Sequence, residues 1–350
     1  MPEIDTDTMS QANNLVEILS EGQSLAIICH DNPDPDCIAS ALGLKEIAEN
    51  SGVEEIEIYY SGEVSHQQNR AFVNLLDVDL INFDEANLDD YDKVAFVDHS
   101  IPSGNNQVSP ERRIDVVIDH HPSEEDVVGE FVDVREDYGA TTTIIVEYLE
   151  DLEMSPDQSL ATALLFGIRT ETLDFLRDAT EKEYSAAMYL HSLVDIDLLK
   201  RMIQPAFSPA TLDTIGQAIL NREVRASALI SGVGRTTERD ALPQAADYLM
   251  NLEGISTVLV FGIIDDKIQM SARSNDSRVN LNRIVREAFG DVGSAGGHQD
   301  MAGAQIPLGI FSDMVENDSK LIELTSDIVR TRFFKAMNLQ EDEPEAKNGA

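Results

Sequence analysis

His30-Asp31-Asn32-Pro33-Asp34-Pro35-Asp36-Cys37-Ile38-Ala39-Ser40 follows directly on the apolar run Leu25-Ala26-Ile27-Ile28-Cys29. One imidazole and three carboxylates fall within seven residues, at the end of what reads as a buried strand. Pro33 and Pro35 each remove a backbone donor and restrict the preceding residue, which predicts a stiff loop rather than a helix through the cluster. Such a loop, acidic and carrying a histidine, is a cradle for a divalent metal. Two later strands end in the same kind of residue.

Outward from this stretch, the first half alternates strand and helix. Leu25–Cys29, Ile56–Tyr60, Val94–Val97 and Val116–Ile118 read as strands, mostly as continuous apolar runs of the type buried on both faces of a parallel sheet. Helical spacing appears over 40–49 and around 141–150, 158–170 and 181–193, preceded by a short helix bearing Leu15, Ile18 and Leu19. The expected class is α/β, with a parallel-sheet N-terminal domain over 1–195. Residues 196–225, with Pro205 and Pro209, read as a linker or connecting helices. A smaller α+β domain is expected over 226–335. It contains a hairpin of Thr257–Ile264 and Lys267–Ala272 turning at Asp265-Asp266, a helix over Leu281–Phe289, and an edge strand near Gln305–Leu308. The acidic stretch 336–350 reads as a disordered tail.

Composition narrows the setting. The 350 residues hold 65 Asp and Glu against 25 Lys and Arg, a net charge of −40, yet 42% of them are hydrophobic. Repeated apolar segments exclude wholesale disorder, so the acid excess reads as the coat of a halophilic, haloarchaeal protein whose self-repulsion is screened by salt. No apolar stretch approaches the ~20 residues of a membrane span, and the acidic N-terminus is unlike a signal peptide. A cytoplasmic location is expected. Cys29 and Cys37 show neither zinc-finger nor redox spacing.

In an open parallel sheet, ligands bind beyond the carboxyl ends of the strands. That rule gathers His30, Asp34 and Asp36 with Asp98 and His99 and with Asp119, His120 and His121. One aspartate after a strand is an ordinary turn former. Three such strand ends in one sheet are a site. Mixed histidine and carboxylate donors suit Mn²⁺, Co²⁺, Mg²⁺ or Zn²⁺ rather than a thiolate-selected metal, and their number suffices for two ions.

The order His-x-Asn-Pro-Asp-x-Asp (30–36), Val-Asp-His (97–99) and Asp-His-His (119–121) resembles the DHH phosphoesterase superfamily. That family spans RecJ-type single-strand exonucleases, nanoRNase/pAp phosphatases, cyclic-di-AMP phosphodiesterases and family II inorganic pyrophosphatases. Its fourth motif is similar to Gly167-Ile168-Arg169-Thr170-Glu171-Thr172, with Glu171 standing where the family has Asp. Ser271-Ala272-Arg273-Ser274 and Gly296-Gly297-His298-Gln299-Asp300-Met301-Ala302-Gly303 resemble the DHH-associated domain, with Met301 in place of the first alanine.

The resemblance implies two divalent ions, Mn²⁺ foremost. His30 and Asp34 would hold one, Asp36 and His120 the other, with Asp98 bridging and Glu171 in the second bridging place. The longer Glu171 leaves Asp174, roughly one helical turn on, as a substitute ligand. His121 would face the substrate phosphate, and Asp119 would hydrogen-bond the histidines. Arg273, Ser274 and the Gly296-Gly297-His298 loop would grip the nucleotide, although an arginine in so acidic a chain pairs by default with a surface carboxylate. His99 matches no ligand of the family, and His66 and His191 match nothing.

The implied activity is hydrolysis of short oligonucleotides, pAp or linear dinucleotides by hydroxide activated between the metals, as in an oligoribonuclease. A RecJ-like exonuclease and a catalytically weak nucleotide sensor are the alternatives. A small substrate is favoured because aromatic residues are only 6%, with no Trp, so the stacking platforms of strand-tracking nucleases are sparse. A family II pyrophosphatase lacks the Gly-Gly-His signature. Homodimers are among the assemblies the resemblance leaves open.

Overall fold

The computed structural model describes residues 6–64, 67–101, 105–109, 111–123, 126–309 and 317–339. His66 and residues 340–350 of the expected tail lie outside them. The chain forms two compact units that meet at 206/207.

The first unit runs α1 (Thr6–Leu19), β1 (Ser24–Asp31), α2 (Pro35–Asn50), β2 (Glu55–Ser61), α3 (Gln67–Leu76), β3 (Ile81–Asn82), β4 (Lys93–Val97), β5 (Val116–Asp119) and β6 (Phe131–Val134). Four helices follow: α4 (Thr141–Asp151), α5 (Gln158–Glu171), α6 (Glu181–His191) and α7 (Ile196–Ile203). The six strands make one all-parallel sheet in the order β3-β2-β1-β4-β5-β6. The order reverses between β1 and β4, which opens a crevice at their carboxyl ends. Alternation along β1 serves both faces of the sheet. Leu25, Ile27 and Cys29 enter the core beneath the helices, and Ala26 and Ile28 pack with Tyr59, Phe96 and Val117 on the other face.

The loop expected over 30–40 is shorter than Pro35 suggested. Helix α2 begins at Pro35 itself, the first helical position, where a missing N–H costs nothing and the fixed φ is already helical. Asp34 caps it, accepting from the amides of Asp36 (3.0 Å) and Cys37 (3.1 Å). Gly167 lets α5 pass close beneath. A Cβ there would stand 2.8 Å from Thr142 Oγ1 and 2.9 Å from Ala39 Cβ.

The second unit runs α8 (Pro209–Leu220), β7 (Arg222–Arg225), β8 (Ala228–Arg235), α9 (Ala241–Leu249), β9 (Thr257–Ile264), β10 (Lys267–Ser274), α10 (Leu281–Phe289), β11 (Ser294–Gly297), β12 (Met301–Pro307) and α11 (Asp318–Ala336). Its sheet, β11-β12-β10-β9-β8-β7, is mixed, with only β8 and β9 parallel. The expected hairpin and helix are present. Residues 196–225, read as a linker or connecting helices, form α7 in the first unit and α8 with β7 in the second. The final strand is not an edge. It begins at Met301 and pairs on both sides, because the glycine-rich segment folds back as β11. Among the described residues, no helix is long and apolar enough to cross a membrane.

Candidate metal centre

The strand ends deliver their polar residues to one place. His30 lies on the last residues of β1, and its Nδ1 donates to the Asp31 carbonyl (3.0 Å). His120, just after β5, donates from Nδ1 to the Tyr138 carbonyl (3.0 Å). A carbonyl only accepts, so each Nδ1 carries a hydrogen and each Nε2 is the ring nitrogen turned toward the site.

Asp98 sits between these rings. Its φ of 64° is left-handed, a conformation that Asp tolerates better than most residues. The turn aims the buried carboxylate with its two oxygens in different directions. Oδ2 lies 3.5 Å from His30 Nε2, and Oδ1 lies 3.6 Å from His120 Nε2 and accepts from Thr141 Oγ1 at 2.8 Å. Donor atoms of His30, Cys37 and Asp98 lie within 4.8 Å of one another, as do those of Asp98, His120 and His121. Asp98 is common to both groups.

Asp34 and Asp36 are held by helix ends. Asp34 Oδ1, engaged at the start of α2, stands 3.9 Å from His30 Nε2. Asp36 is fully buried, and its two oxygens accept from the amides of Thr141 and Thr142 at 2.9 Å each. It therefore supplies the cap for α4, whose own N-cap residue Ala140 has none. Asp36 Oδ2 is 4.0 Å from His120 Nε2. Behind His120, Arg135 bonds Asp133, Glu147 and Tyr138, and thereby fixes the segment whose carbonyl orients the ring.

The electrostatics are those of a site short of positive charge. Burial works against charge on His30, but the Asp98 carboxylate and the Asp34 charge overcome it and raise the ring to about 10. Burial, then the charges of Asp36 and Asp34, push Asp98 well above the carboxylate range against the pull of His30. Asp119 accepts from His121 Nδ1 at 2.9 Å and, against burial, lifts that half-exposed ring to about 9. Burial and the neighbouring Asp36 and Asp34 raise Glu171 to about 7. Protons occupy what a cation would neutralise.

The donor set fits divalent metal. His120 Nε2 is buried without a hydrogen-bond partner, a costly arrangement for a nitrogen lone pair unless an ion takes it. His30 with Asp34 and His120 with Asp36 could each hold an ion, with Asp98 reaching both.

Other expected residues are placed differently. Glu171 ends α5 near Asp34 and Asp36, but its Oε1 accepts from Arg177 at 2.7 Å and it belongs to neither donor group. Asp174 is no substitute, because the helix stops at Glu171. Asp174 sits in a left-handed turn and pairs with Arg169 at 2.7 Å. Burial lowers His99 to about 4; the ring stacks on Phe96 and bonds the Val97 carbonyl, a packing role.

In the second unit, a cleft of about 530 Å³ is lined by Arg273, Gly296 and Gly297, together with Arg239, Gln269 and Ser271. Arg273 Nε is paired with Asp247 at 2.6 Å, as the charge balance suggested. Ser274 does not line the cleft. Its buried hydroxyl bonds Thr257 and the Ser256 carbonyl, tying β10 to β9. His298 is exposed beyond the lining, and its amide closes the β11–β12 turn onto Met301. Arg239 escaped sequence reading because it belongs to no motif.

Comparison with known proteins agrees with this layout. Residues 24–168 match the model of the DHH family, N-terminal domain, and residues 225–330 that of the DHHA1 domain. The chain belongs to the DHH superfamily. It is 40% identical over 320 residues to an uncharacterized protein of Methanocaldococcus jannaschii, covering 91% of this chain and 65% of that protein. It is 29% identical over 322 residues to the cyclic-di-AMP phosphodiesterase PdeA of Listeria monocytogenes, covering 85% of this chain and 47% of PdeA. The chain thus spans about half to two-thirds of these relatives' lengths. An exopolyphosphatase-related protein of Bacteroides fragilis shares the fold, with a TM-score of 0.65 at 15% identity over 94% of this chain and 98% of that one.

Proposed function

We propose that this DHH protein is a divalent-metal-dependent phosphoesterase that hydrolyses short oligonucleotides or small nucleotides such as pAp and linear dinucleotides. The observation that carries the reading is Asp98, whose two oxygens face the Nε2 atoms of two histidines. Two divalent ions, Mn²⁺ first, would supply Lewis acidity toward a phosphoryl oxygen and lower the pKa of water. His30 and Asp34 would hold one ion and His120 and Asp36 the other, with Asp98 within reach of both and Glu171 as a further carboxylate beside them.

His121, half-exposed and hydrogen-bonded through Nδ1 to Asp119 beside Asp98, is the residue proposed to face a phosphoryl oxygen. The cleft lined by Arg239 and Arg273 is the proposed nucleotide grip, where backbone N–H groups of the glycine segment approach an anion closely. The acid coat favours a small ligand over a long polyanion, in the cytoplasm of a salt-adapted cell. A nucleotide-sensing role is the second reading, favoured by the Glu171–Arg177 pair, which withdraws a carboxylate from the centre.

The test is release of mononucleotide from labelled RNA and DNA strands of increasing length, in high KCl with Mn²⁺. The reading predicts fastest turnover on the dinucleotide. Rates that climb with length would indicate a single-strand exonuclease. Tight nucleotide binding without turnover would indicate the sensor.

A further inference from the structure

Cys37 directly follows Asp36 in the first motif and takes no part in the activity proposed above. Its thiol is fully buried at the start of α2 and donates to the Val97 carbonyl at 3.4 Å, one residue before Asp98. Its Sγ and donor atoms of His30 and Asp98 are mutually within 4.8 Å. Sulfur and nitrogen donors on one tetrahedral ion stand about 3.6 Å apart, so side-chain motion of about an ångström brings all three onto a common centre. Cys29, also buried and in hydrogen-bonding contact with the Cys37 thiol, is not part of that group, so its serine variant separates ligation by Cys37 from an indirect effect on it.

We propose that Cys37 is a ligand of the ion held by His30, giving that position a nitrogen, oxygen and sulfur donor set. The inference rests on the reading of these strand ends as a metal centre. As the metal–sulfur bond forms, the thiol proton now shared with Val97 O leaves to solvent, so one more proton is released per ion bound. The two halves of the centre then differ in kind. The His120 side offers nitrogen and oxygen alone, suited to Mn²⁺ or Mg²⁺, whereas a thiolate biases the His30 side toward Co²⁺, Zn²⁺ or Fe²⁺ and against Mg²⁺. The centre becomes selective at one of its two positions.

The experiment is titration of the metal-free full-length chain with Co²⁺, followed by absorbance. The visible d–d bands report bound cobalt and the near-ultraviolet thiolate-to-cobalt band reports sulfur ligation. The expected result is a thiolate band in the wild type and in Cys29→Ser, lost in Cys37→Ser while the d–d bands remain. Serine preserves the shape and the hydrogen bond to Val97, and the surviving d–d bands show that the variant is folded. Bound cobalt without a thiolate band in the wild type overturns the proposal and leaves the metal centre standing. A band that persists in Cys37→Ser, or that disappears only in Cys29→Ser, also overturns it. A wild type that binds no cobalt defeats the metal centre and this inference together.

Discussion

Replacing Asp98 by Asn should stabilise the metal-free protein and remove its response to metal. Asn accepts the same left-handed φ and keeps an oxygen for the Thr141 hydroxyl, so the geometry survives while the charge goes. Asp98 holds its proton more tightly in the folded chain than in the unfolded one. The stability this contributes is fully present below about pH 4, the ordinary carboxylate value, and is lost as pH rises through the raised folded value. Over that window the wild type loses about 1.4 kcal/mol per pH unit from this group; the variant does not. Relief of the acidic cluster should add roughly 0.5–2 kcal/mol to metal-free stability, the usual gain when a strained functional site is relaxed.

Metal acts in the opposite sense. An ion at a hundredfold excess over its dissociation constant contributes about 2.7 kcal/mol. In a domain of this size that is roughly 5–11 °C in Tm per ion. With Asp98 proposed as a ligand of both ions, the variant is expected to forfeit the whole shift. The assay is thermal unfolding at several pH values in EDTA and in excess Mn²⁺. A variant stabilised by Mn²⁺ as much as the wild type, or one with the wild-type pH slope in EDTA, refutes the reasoning.

Arg135→Met leaves the Asp133 carboxylate buried without its bidentate partner and should cost about 3–5 kcal/mol in denaturant unfolding. Gly167→Ala forces its Cβ against Thr142 and Ala39 and should cost about 1–3 kcal/mol. Gly216→Ala, in α8 with open space around the added methyl, should instead gain about 0.5–1 kcal/mol; both are read by thermal melts. Glu171 is raised from 4.5 to about 7, so the stability it contributes is present below pH 4.5 and drains up to pH 7. Glu171→Gln should flatten the metal-free stability curve across that window and weaken binding of the second Mn²⁺ on the order of 10–100-fold by calorimetry.

The first sheet was legible because its central strands are buried on both faces and read as unbroken apolar runs ending in polar residues. β3, with two residues, and β6, where Asp133 interrupts the apolar pattern, gave no such signal. The start of α2 was misread because proline looks alike in a loop and at a first helical turn, and only the Asp34 cap distinguishes them. The meeting of His30, Asp98 and His120 followed from strand order, a global property that the Asp-His-His motif carries in compressed form. That Asp36 caps α4 was hidden, since its partners lie 105 and 106 residues away. Ser274 looked like a ligand because it follows Arg273, but the pleat of β10 turns neighbouring side chains to opposite faces.

Hydrolysis of a labelled dinucleotide by metal-free protein, measured as Mn²⁺ is added back, tests the central claim most directly when wild type and Asp98→Asn are run side by side. The account predicts turnover that appears only with Mn²⁺ and reaches its plateau at two ions per chain, with none in the variant. Turnover in EDTA, or a variant as active as the wild type, would contradict it.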